Sequence, residues 1–135
     1  MAKKILEEIE LGPRAAAGAR RVLKRLENDV SPEVLEDVRL LVSELVTNSY
    51  RHSGARPGAT ASLAVNVKRG RILVDVGDHG RGFVPAVPDD APFDRPSGWG
   101  LTIVDRVADR WGVTRDHGTH VWFELVTQPV PARTA

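Results

Sequence analysis

The chain has 135 residues, a net charge of +1 from 19 basic and 18 acidic side chains, and no cysteine. Hydrophobic residues make up 41% and charged residues 27%, ordinary for a globular protein with a real core. The near balance of charge argues against a general electrostatic grip on nucleic acid or an anionic membrane, and the lack of Cys excludes disulfide scaffolds, thiol catalysis and cysteine–zinc sites.

The N-terminus, Met-Ala-Lys-Lys-Ile-Leu-Glu-Glu, carries charges within its apolar positions and does not read as a secretory signal. No apolar run approaches the roughly 20 residues that cross a bilayer, so a cytoplasmic location is expected. Residues 3 to 11 alternate through Ile5, Glu7, Ile9 and Leu11 and predict a first strand. Gly12-Pro13 breaks it, and Pro13 suits the opening of a helix. From Arg14 to Glu27, Ala15, Ala19, Val22, Leu23 and Leu26 recur at helical spacing, with Arg20, Arg21, Lys24 and Arg25 on the other face.

Ser31-Pro32-Glu33 starts a second helix with a capping hydroxyl, a proline that needs no N–H and an acid near the positive dipole end. Val34, Leu35, Val38, Leu41, Val42, Leu45 and Val46 form one broad apolar stripe. His52 falls in the middle of that stripe. Residues 59 to 67 and 71 to 77 alternate as strands around a Lys68-Arg69-Gly70 turn. Residues 80 to 98 hold four prolines and three aspartates, which no long regular element tolerates. A long loop of this kind inside a small domain is usually functional, and here it would form a lid. Helical period returns from Leu101 to Trp111. Two strands, near 112 to 116 and 119 to 126, close a single domain over residues 1–127. Residues 128–135, with two prolines, form a frayed tail.

Three motifs carry chemistry. On the long helix, Glu44 and Asn48 lie one above the other at the edge of the apolar stripe, with Arg51 on the Glu44 side. An amide oxygen is a hard ligand for magnesium, a carboxylate can deprotonate an attacking hydroxyl, and an arginine can offset phosphate charge. The plainer alternative is a surface Glu44 paired with Arg51 beside a solvated Asn48. The second motif, Asp78-His-Gly80-Arg-Gly82, follows a strand. A carboxylate at the strand end can accept from an exocyclic amine such as that of adenine, and the glycines let backbone approach a ligand. The third, Ser97-Gly98-Trp-Gly100-Leu101, opens a helix whose N–H groups suit phosphate. Together they read as an ATP site.

Other residues are weaker candidates. His52, His79, His117 and His120 lack metal-ligand spacing, so zinc is not expected. Asp75 faces away from Val74 and Val76 and reads as solvated or structural. Trp111 fits the core face of the third helix. Trp122 points away from Thr119, Val121, Phe123 and Leu125, to cover the sheet or join an interface.

Four stretches in order carry a family resemblance: Leu41-Val-Ser-Glu-Leu-Val-Thr-Asn-Ser-Tyr-Arg-His52, Val74-Asp-Val-Gly-Asp-His-Gly-Arg-Gly-Phe83, Gly98-Trp-Gly-Leu-Thr-Ile-Val-Asp105 and Gly118-Thr-His-Val-Trp-Phe-Glu-Leu125. The chain resembles the GHKL ATP-binding superfamily of gyrase, heat-shock chaperone, histidine kinase and mismatch-repair ATPases. More closely it resembles the bacterial anti-sigma-factor serine/threonine kinases, over roughly residues 5 to 126. The resemblance implies a two-layer α/β sandwich of Bergerat type, with a mixed, mostly antiparallel sheet and helices on one face. It implies ATP and Mg2+ as cofactors. Glu44 would be the catalytic base, Asn48 the metal ligand and Arg51 a phosphate contact. Asp78 would read adenine, with Gly80 and Gly82 shaping that pocket and Thr119 nearby. Gly98, Gly100 and Leu101 would line the phosphate side.

In that family the kinase binds and blocks a sigma factor. It also phosphorylates a Ser or Thr of an anti-anti-sigma, STAS-type partner. Such kinases are commonly homodimers. One departure is Trp99, where the kinases often carry Arg or Leu; a ring there would narrow the phosphate side. A rival expectation is therefore a nucleotide-binding module that sequesters a partner without phosphotransfer. A histidine-kinase catalytic domain would need an upstream helical hairpin bearing the acceptor His, and about 30 residues precede the second helix.

Overall fold

The computed structural model describes residues 2–52, 57–78, 101–115 and 118–127. Strand β1 (Lys3–Glu10) leads to helix α1 (Ala15–Leu23), a 3-10 turn (Lys24–Leu26) and the long helix α2 (Pro32–His52). Strands β2 (Thr60–Lys68) and β3 (Arg71–Asp78) follow, then α3 (Leu101–Val107), β4 (Arg110–Arg115) and β5 (Thr119–Val126). The sheet runs β1-β2-β3-β5-β4, and all four pairings are antiparallel. Helices cover one face, giving the expected two-layer α/β sandwich. No helix among the described residues is long and apolar enough to cross a membrane.

The local signals act as the residue types dictate. The Val34 N–H donates to the Ser31 hydroxyl at 3.2 Å, which caps α2. Gly70 takes φ +82° in the β2–β3 turn, a conformation that side chains with a Cβ resist. The Leu11 N–H donates to the Ala59 carbonyl at 2.8 Å, extending the β1–β2 ladder past its last pair.

One apolar core lies between sheet and helices. Ala15, Ala19, Leu23 and Leu26 enter it from the first helical segment, and Val38, Leu41, Val42, Leu45 and Val46 from α2. The strands contribute Ile5, Leu63, Val65, Ile72, Val74, Phe123 and Leu125. Glu7 shares the helix-facing side of β1 with Ile5 and Ile9; it is half-buried and pairs with Arg25 at 2.8 Å.

The third helix is shorter than its periodicity suggests, and Trp111 lies on β4, not on the helix. The cause is tertiary. The Asp109 N–H donates to the Glu124 carbonyl at 2.9 Å, and the Asp109 side chain accepts from the Val126 N–H at 2.7 Å. These bonds pull the chain onto β5 two residues after α3 ends. Trp111 then faces Phe123 in register, and its indole N–H donates to Asp105 at 2.9 Å. The spacing Val104, Val107, Ala108, Trp111 fits a helix face, yet it is also met by a helix that stops and a strand that begins.

Candidate functional site

Over β3 and β5 the helix-facing side of the sheet is apolar except at one end. Along β3, Ile72, Val74 and Val76 are buried, and the next residue of that parity is Asp78, only 7% exposed. Along β5 the same face begins with Thr119, 5% exposed, before Val121, Phe123 and Leu125. The two polar residues meet: the Thr119 N–H points to Asp78 Oδ1 at 3.5 Å. Burying a carboxylate at a strand end is costly unless something there uses it.

Helix α2 brings the second polar exception. Asn48 is 4% exposed and Ser49 is also buried, two and three residues past Val46, where the apolar stripe ends. The Asn48 amide nitrogen Nδ2 is enclosed and has no hydrogen-bond partner among the described residues. A flip of the side chain would bring the carbonyl oxygen to the same corner, so this position can offer either a donor or a hard oxygen ligand. An orphaned buried amide weakens a fold unless a ligand completes it. Its burial removes the alternative of a solvated Asn48. The residues present therefore fit a nucleotide and its cation: Asp78 and Thr119 offer a polar end to a base, and Asn48 an amide to a metal.

Glu44 and Arg51 sit differently. Glu44 is half-buried and lines an open groove of about 690 Å³ between α1 and α2, together with Arg20, Arg21, Lys24, Arg39 and Ser43. Arg51 is exposed, and no Glu44–Arg51 ion pair occurs among the described residues. Leu101, at the first position of α3, is buried and belongs to the core. Gly80, Gly82, Gly98 and Gly100 lie outside the described residues, as do Trp99, the expected lid over 80–98 and the tail; so do His79 and His117.

The sheet's other face holds contacts that sequence reasoning missed. His120 Nδ1 lies 2.7 Å from Asp75 Oδ1. Glu124 is nearly buried between Arg71 at 3.3 Å and Arg110 at 3.8 Å. Trp122 covers Gly112, where a Cβ would come within 2.8 Å of the indole nitrogen. Parity makes Asp75 solvated or structural, and its contact with His120 makes it structural. Parity assigns each of these residues to the outer face, but only the register tells which of them meet.

A family model described as histidine kinase-like ATPase domain matches residues 9–125. No curated protein matches the chain significantly. Among solved structures, it is similar to the RsbU and RsbW domains of Rv1364c from Mycobacterium tuberculosis, with TM-score 0.70 and 18% identity over 94% of this chain and 33% of that one. It is similar to the histidine kinase domain of the blue-light activated histidine kinase EL346 from Erythrobacter litoralis, with TM-score 0.57 and 26% identity over 83% of this chain and 60% of that one. Another structure of that kinase gives TM-score 0.56 and 25% identity over 88% and 42%. The chain thus spans between a third and three-fifths of the proteins it resembles, and at 18% identity the first likeness is one of fold.

Proposed function

The chain belongs to the histidine kinase-like ATPase domain family, and from that premise we propose that it is an ATP-dependent serine/threonine protein kinase in a partner-switching pathway. It restrains a sigma factor and phosphorylates an anti-anti-sigma protein of STAS type. The observation that carries the reading is the orphaned, buried amide of Asn48 on a chain that also keeps Asp78 buried beside Thr119. Support for phosphotransfer, over a module that only sequesters a partner, comes from the presence of Glu44, Asn48 and Asp78 together. A likeness to a structure that includes an RsbW domain agrees with this reading.

In this mechanism Asp78 accepts a hydrogen bond from the adenine amine and fixes the base. Asn48 holds Mg2+, which would neutralise phosphate charge. Arg51 approaches the phosphates from the exposed end of α2. Glu44 takes the proton of the acceptor Ser or Thr hydroxyl. The hydroxyl oxygen bonds to the γ-phosphorus, the bond to the bridging oxygen breaks, and ADP leaves.

Calorimetric titration of Mg·ATP into the protein, beside Asp78→Asn, tests the pocket. Binding by the first, and binding weakened roughly thirtyfold in the second, is expected; binding by neither sinks the nucleotide reading. Transfer of labelled phosphate to a STAS-type partner then tests the kinase. Glu44→Ala should bind Mg·ATP normally and transfer slowly. Loss of binding together with transfer would remove Glu44 from the role of base, and wild-type binding with no acceptor ever labelled would leave a sequestering module.

A further inference from the structure

Behind the Asp78–Thr119 contact, on the sheet face away from the helices, three residues form a clasp. Gly77 precedes Asp78 on β3, and His120 follows Thr119 on β5. The two are register partners and form the last β3–β5 pair before the strands part. The His120 ring lies against the Gly77 backbone, so that a Cβ at Gly77 would clash with its Nδ1 and Cε1 atoms. Gly77 has no unusual φ; it is glycine for space. The ring is held in place by Asp75, whose carboxylate accepts from His120 Nδ1 at 2.7 Å. From the adjoining strand the Ser62 hydroxyl donates to the Gly77 carbonyl at 3.3 Å.

Strand ends fray unless side chains fasten them. Here the fastening sits one residue from the candidate base-reading pair on each strand. Successive residues point to opposite faces, so a ring pressed on Gly77 from behind sets how Asp78 is presented in front. We propose that the Asp75–His120–Gly77 clasp is a positioning unit that sets the adenine specificity of Asp78. This rests on the reading of Asp78 as the partner of the adenine amine. His120 and Asp75 touch no nucleotide and act through the backbone of β3 and β5.

The test compares ATP with inosine triphosphate, whose base lacks the exocyclic amine. Wild type should prefer ATP, and Asp78→Asn should abolish the preference. His120→Ala should lower ATP affinity about tenfold and inosine triphosphate affinity little, since the lost term is one hydrogen bond to a charged group. His120→Asn, which returns an amide donor near the Nδ1 position, should restore most of the preference. Gly77→Ala should mimic His120→Ala, and adding it to His120→Ala should cost nothing more, because the Cβ then has room. Melting curves of each variant separate this from unfolding, which would weaken both nucleotides alike. A wild type indifferent between the two nucleotides overturns the adenine reading and the clasp with it. A wild type with the preference and a His120→Ala variant that keeps it overturns the clasp alone.

Discussion

The two faces of the sheet are made from the same strands and are held by different forces. The face under the helices is closed by packing: Leu63, Ile72, Val74 and Phe123 are fully buried. The outer face is held by directional contacts, with Asp75 to His120, Glu124 to two arginines, and Trp122 laid over Gly112. It tolerates Leu6 at 73% exposure. Apolar burial is summed over area and needs no partner geometry, whereas a clasp depends on one distance. The inner face therefore supplies most of the stability. Its few polar residues stand out as candidates for function, because packing alone would have chosen otherwise.

The sharpest way to break this comparison is a truncation on each face. Phe123→Ala should cost about 3–5 kcal/mol in urea denaturation, since it removes a fully buried ring and leaves a cavity. Leu6→Ala should stay within about 0.5 kcal/mol. Similar losses at both positions would mean that the outer face is covered in solution.

A second substitution probes the polar exception on the inner face. Asp78→Asn keeps the shape and removes the charge. It should weaken ATP by about 2 kcal/mol, roughly thirtyfold in calorimetry, as expected for a lost hydrogen bond to an ionised acceptor. Unchanged affinity would reduce Asp78 to a strand-end cap for Thr119.

A third asks what the outer face is worth. Glu124 has a side chain only 11% exposed, between two mostly exposed arginines. Glu124→Gln should cost about 1 kcal/mol by thermal unfolding, well below the Phe123 effect, because water screens the arginines. A loss equal to that of Phe123→Ala would show that the clasps carry the sheet.

How much of this was legible in the sequence follows the same division. Local chemistry was readable: the Ser31 cap, the glycine of the β2–β3 turn and the period of α2 each act within a few residues. Burial parity was readable too, which put Thr119 on one face of its strand with Val121, Phe123 and Leu125. What depends on partners far along the chain was not. The end of α3 is decided by Asp109 bonding to β5, and nothing between Leu101 and Trp111 announces that. Glu7 breaks the alternation of β1 on behalf of Arg25, far away in sequence. The Asp75–His120 contact needs the β3–β5 register, which no spacing within either strand contains.

The smallest expected effect is the most discriminating, because its sign runs against the usual direction. Asn48 sits in the helix layer facing that inner side, and its amide nitrogen is buried with no partner among the described residues. Most substitutions at a buried position destabilise. An unsatisfied amide is a standing cost, and an apolar side chain of similar size removes it. Asn48→Leu should raise the unfolding free energy by somewhat under about 1 kcal/mol without nucleotide. The same variant should lose the further stabilisation that saturating Mg·ATP gives the wild type, because ligand binding to the native state adds to its stability. A variant that is less stable in the absence of nucleotide would show that the amide is satisfied in the free protein and that the core, not the site, requires it. A variant that is more stable and still stabilised by Mg·ATP would keep the pocket and move the metal ligand elsewhere.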